Sequence, residues 1–287
     1  MAGLLFKIFA RQKPLLDALH KEFAPYVRDA ASSPNSASDK AAVEIYDSDI
    51  FTTHADALVS PANSFGFMDG GFDDLILKHA GLQLQRRLQT LIRSRESGEL
   101  LVGRALVLEM VADSQPANDD EWDGTAYLSR SYPESPPHTP LPFRYLIAAP
   151  TMRLPLEVPD TINAYLAFRA VILAVIAHNE SVAPSDPSGH TTSEPAEAAA
   201  TATATAKRSD ASPIRSVACT GLCTGVGRMP ADRCARQMRI AFEQAALGVQ
   251  VSAALPPPGA PRGHTGERPP KGSQLYDYFD VYDLLLK

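Results

Sequence analysis

The chain has 287 residues, 45% of them hydrophobic and 21% charged, with a formal net charge of −6. That balance suits a soluble globular protein and excludes one that grips long nucleic acid through counterion release, so no strong generic nucleic-acid binding is expected. Three cysteines, Cys219, Cys223 and Cys234, are odd in number and fit no zinc-ligand spacing. They predict no metal site and an intracellular, cytoplasmic or nuclear, compartment rather than secretion.

The N-terminal MAGLLFKIFARQK has too short an apolar run for a signal peptide. Leu4 to Phe9 alternates weakly and predicts a first strand. Pro14 to Phe23 places Leu15, Leu16, Leu19 and Phe23 at helical spacing. Ser32 to Lys40 is loop-like, and Ala42 to Tyr46 predicts a strand delivering Asp47-Ser48-Asp49-Ile50.

Next comes the most informative stretch, DALVSPANSFGFMDGGFDDLILKHAG, from Asp56 to Gly81. Ala57-Leu58-Val59 reads as a buried strand, and Pro61 stops it because proline cannot donate to a sheet ladder. Phe65 to Gly71 is a glycine loop. Phe72 to Ala80 is helical, with Phe72, Leu75, Ile76 and His79 on one side. Strand, glycine loop and helix N-terminus together form an anion site, most commonly a phosphate site.

Leu82 to Ser97 is an amphipathic helix carrying Leu84, Leu88, Leu91 and Ile92, and its arginines form a solvated face. Leu100 to Val111 gives a strand after Gly103, and Phe143 to Ala149 another, ending at Pro150-Thr151-Met152. Thr161 to His178 is the strongest helix, apolar nearly all round, and predicts packing between the sheet and another element. Polar Asn163, Arg169 and His178 argue against a membrane span of about 20 residues, so no membrane partner is expected. Ile214 to Ala218 predicts a strand and Cys219 to Pro230 (CTGLCTGVGRMP) a second glycine loop, with a helix over Ala231 to Ala246. The aromatic tail from Gly272 to Lys287 predicts a docked final segment. Three segments rich in proline, alanine or small polar residues, 114–141, 183–213 and 252–272, read as low-complexity insertions within a single domain spanning 1–287.

These motifs resemble the macrodomain family, its bacterial-type members in particular. VSPANS stands where that family has VNAAN, GGFDDLI is similar to its GGGVDxAI, Asp49-Ile50 to its Gly-Asp-Ile, and Cys223 to Pro230 to its STGxxxxP loop. The resemblance implies a three-layer α/β/α fold with a mixed, mainly parallel sheet. The implied partner is ADP-ribose or an ADP-ribosylated macromolecule, and no cofactor is implied. Asp49 and Ile50 would meet adenine. Ala62, Gly70, Gly71 and Phe72 would meet the ligand from the first loop, and Cys223, Thr224, Gly225, Val226 and Gly227 from the second. Asn63 and Asp73 would sit at the distal ribose as catalytic residues, the helix dipole keeping Asp73 ionised. The implied activity is hydrolysis of an ADP-ribosyl ester or related derivative. A non-catalytic reader of ADP-ribosylated targets and an ADP-ribose 1''-phosphate phosphatase are the alternatives. Two positions depart from the family pattern: Asp69 replaces a loop glycine, and Gly227 stands where hydrolytic members often carry an aromatic residue.

Overall fold

Runs of apolar and β-branched residues too short to be core helices form the centre of the molecule, and the amphipathic segments between them become its helices. The computed structural model describes residues 3–28, 41–110, 141–183, 211–252 and 275–277. The segments read as insertions lie almost wholly outside the described residues, as do the 29–40 region and most of the tail.

The sheet strands are β1 (Leu4–Phe9), β2 (Ala41–Tyr46), β3 (Ala57–Ser60), β4 (Leu106–Glu109), β5 (Tyr145–Ala148) and β6 (Ser216–Thr220). Their order is β2-β1-β6-β3-β5-β4, and every pairing is parallel except β4 with β5. The sheet is therefore mixed and mainly parallel, with its one antiparallel strand at an edge. β3 and β5 are buried along their whole length, which is why ALVS and YLIA carry no alternation.

Helices cover both faces. α1 (Lys13–Phe23), α4 (Asn163–Val182) and α5 (Ala231–Ala245) pack a core of Phe6, Ile8, Phe23, Phe168 and Phe242 on one face. α2 (Gly71–Ala80) and α3 (Leu82–Arg95) pack a second around Leu58, Met68, Ile76, Leu77 and Leu88 on the other. Three layers result.

Two helices refine the readings made from the sequence. The stripe expected on α2 divides: its Ile76 is buried together with Asp73 and Leu77, while its Leu75 is 45% exposed. Phe72 and His79 instead stack on Phe51, with ring centroids 5.8 and 4.3 Å apart. α4 is long and apolar enough by composition to cross a membrane, yet Ala164, Phe168, Val171, Ile172 and Val175 lie in the core cluster while Leu173 stays exposed. It packs against both the sheet and α5, as expected, and leaves its remaining face to solvent. Of the tail, Leu275–Asp277 forms β8, pairing in parallel with β7 (Gln250–Ser252) in a separate two-stranded sheet.

Candidate functional site

Parallel strands share one direction, so their carboxyl ends and the loops that follow gather at one edge, where open α/β sheets keep their clefts. A cleft of about 550 Å³ lies there. Every residue nominated above lines it: Asp49, Ile50, Ala62, Asn63, Gly70, Gly71, Phe72, Asp73, Cys223, Thr224, Gly225, Val226 and Gly227. The two glycine loops face one another, since a Cβ on Gly71 would come within 3.8 Å of the Val226 side chain.

The first loop owes its shape to Asn63. Its Nδ2 donates to the Phe67 carbonyl at 2.8 Å, and its Oδ1 accepts from the amides of Phe65 at 3.1 Å and Phe67 at 3.3 Å. Asn63 therefore organises the turn first, and one Nδ2 hydrogen remains to offer a ligand. An isolated parallel bridge from Asn63 to Met152 extends the β3–β5 pairing, so Thr151 and Met152 line the cleft beside it. From the far side Gln85 accepts the Met68 amide at 2.6 Å, and Gln89 donates to the Phe65 carbonyl at 3.4 Å. Both glutamines are buried on α3.

Gly70 precedes α2 without a side-chain cap, and Gly71 begins the helix at φ +61°. No described residue accepts a backbone hydrogen bond from the amides of Gly70, Gly71, Phe72, Thr224, Gly225 or Val226. Six such donors on two facing loops make the cleft receptive to an anion. In the second loop the Cys223 carbonyl accepts from Met229 at 3.0 Å, and Thr224 Oγ1 donates to Gly221 at 2.9 Å. Gly227 is packed solid: a Cβ there would stand 2.6 Å from the Cys223 carbonyl oxygen and 2.9 Å from Val158. No aromatic side chain fits at that place. Asp49 lines the cleft and also accepts the Phe51 amide at 3.0 Å, capping a short 3₁₀ turn. Asp69 lines the cleft from an exposed position.

Asp73 departs most from expectation. It is 5% exposed, and burial pushes its carboxyl up to about 7, against the hydrogen bond donated by Ser60. Desolvation outweighs the helix N-terminus, a term of about 0.3–1 kcal/mol. Cys223 is also buried, its thiol pushed up to about 12, which removes it as a nucleophile. Among the described residues, no group of three or more His, Cys, Asp or Glu could hold a metal ion.

Sequence reasoning missed Arg11 and Gln12, which line the cleft at the start of α1. They reach it because β1 is a central strand, between β2 and β6. It also missed Ser60, Gln85 and Gln89; the two glutamines lie four residues apart within the apolar stripe of α3, a spacing visible in the sequence.

Fold and cleft define an open α/β protein with two glycine loops facing an anion-receptive groove. No family model and no curated protein matches the chain. The solved structures it is similar to are consistently macrodomains. The macrodomain of Mycobacterium tuberculosis DarG is 16% identical over 69% of this chain and 88% of that chain, with a TM-score of 0.41. The Trypanosoma brucei macrodomain is 15% identical over 95% and 82%, with a TM-score of 0.40. Thermosipho africanus DarTG in complex with ADP-ribose is 13% identical over 68% of this chain but only 37% of that longer one, with a TM-score of 0.41. Such distant likenesses say nothing of ligand or chemistry, which rest on this chain's own residues.

Proposed function

We propose that this chain binds ADP-ribose and hydrolyses an ADP-ribosyl ester or a related ADP-ribose derivative. The observation that carries the reading is the convergence of Asp49, both sets of loop amides, Asn63 and Asp73 on one cleft. The amides take the diphosphate, Asp49 takes the adenine amino group, and Asn63 and Asp73 take the distal ribose. In the reaction, water adds to the anomeric carbon and the ribosyl–oxygen bond breaks. The bonding pair leaves with the carboxylate, and ionised Asp73 accepts the water proton. A carboxyl near 7 serves as a base on the neutral and alkaline side.

A second reading, a reader that binds ADP-ribosylated targets without cleaving them, is favoured by the closed packing at Gly227. The two are separated by incubating the chain with several defined ADP-ribosylated substrates and measuring released ADP-ribose. Release that is abolished in Asp73→Ala, with ADP-ribose binding retained, supports hydrolysis; binding without release on any substrate supports the reader. Calorimetry tests the ligand itself, and equal or tighter binding of ATP than of ADP-ribose refutes both.

A further inference from the structure

Asp73 is held by a residue that does not line the cleft. Ser60, the last residue of β3, is fully buried, and its hydroxyl donates to Asp73 Oδ1. The strand fixes Ser60 in turn: it sits opposite Ala148 in the β3–β5 register, and its carbonyl accepts the Ala149 amide at 2.9 Å. A serine at this place cannot drift, because the backbone on which it stands is the middle of the sheet. Asp73 is held from its own side by the first turn of α2, whose next residues Ile76 and Leu77 are fully buried.

On the reading that Asp73 faces the ligand, we infer that Ser60 is the positioning residue of the site. It takes Oδ1 at the back of the cleft and leaves Oδ2 for the ribose or the attacking water. A hydroxyl is the side chain suited to this work. It donates to a carboxylate, which favours the ionised form that a base needs, and it is small enough for a fully buried strand end. The Ser60 hydrogen bond is the largest contact opposing the burial that pushes the Asp73 carboxyl up. Alanine would leave only the backbone amide of Asp73 itself to oppose that burial, and threonine would keep the donor.

The test is a carbon-detected titration of the Asp73 carboxyl in the full-length chain, as wild type, Ser60→Ala and Ser60→Thr. Ser60→Ala should move the midpoint to higher pH by about one to two pH units, the equivalent of one lost hydrogen bond to a charged group. Ser60→Thr should restore it. On a substrate from which the wild type releases ADP-ribose, the acid limb of the Ser60→Ala rate profile should move with the carboxyl, so activity recovers at alkaline pH. Should Ser60→Ala not fold, Ser60→Cys, a weaker donor, must shift the same way. A Ser60→Ala titration that superimposes on the wild type overturns the inference, and so does a loss of turnover equal at every pH. A wild type that releases ADP-ribose from nothing defeats the hydrolase reading alone, because the carboxyl titration still decides the role of Ser60.

Discussion

Replacing Asp73 by asparagine should stabilise this protein while removing its turnover, and the gain should grow with pH. The folded chain holds the Asp73 carboxyl at about 7, against the ordinary 3.8 of an aspartate. Between those values the folded state binds more protons at this site than the unfolded state, so stability falls as pH rises. The contribution is unimpaired below about pH 4, where both states are protonated, and is lost progressively up to about pH 7. Three units at 1.36 kcal/mol each make the full loss about 4 kcal/mol. Asparagine has nearly the same shape, still accepts from Ser60 and never ionises. It forfeits only the dipole term, about 0.3–1 kcal/mol. Denaturant unfolding of wild type and Asp73→Asn at about pH 4 and about pH 8 should show the variant's advantage growing by roughly 2–4 kcal/mol. A difference that stays constant across that range, or grows toward acid, would refute the claim that burial governs this carboxyl.

Three further outcomes follow from the loops. Gly227→Ala must displace the Cys223 carbonyl or Val158, so it should cost about 1–3 kcal/mol of stability and weaken ADP-ribose binding more than tenfold, read by thermal unfolding and calorimetry. Asn63→Ala strands the amides of Phe65 and Phe67 and the Phe67 carbonyl together. It should lower stability by about 1–3 kcal/mol and weaken both binding and turnover, unlike Asp73→Ala, which should keep binding. Cys223 should resist alkylation in the folded chain at about pH 8, since a thiol at about 12 holds almost no thiolate there, and Cys223→Ala should retain turnover.

What the sequence reveals here follows the range of each interaction. Strand, glycine loop and helix are local, so the loops, Asn63 and the start of α2 could be read directly from their residues. Asn63 and Asp73 are ten positions apart, and one turn decides their meeting. Strand order is not local: nothing within LLFKIF says that β1 lies between β2 and β6, and Arg11 and Gln12 enter the cleft only because it does. The stripe on α2 divides for a related reason. Phe72, Leu75, Ile76 and His79 form one stripe by spacing, but Phe72, Leu75 and His79 line the cleft with Phe51, while Ile76 turns inward with polar Asp73 and Leu77. Hydrophobic periodicity finds the apolar side of a helix, and beside a ligand cleft that side need not be the core side. The same inversion accounts for the charge state of Asp73. Counted along the chain it is a helix-first-turn carboxylate, and the dipole alone would keep it ionised. Packed against a fully buried serine at the end of a central strand, it answers to burial first, and a residue chosen from sequence for its negative charge becomes a carboxyl that shares its proton near neutrality.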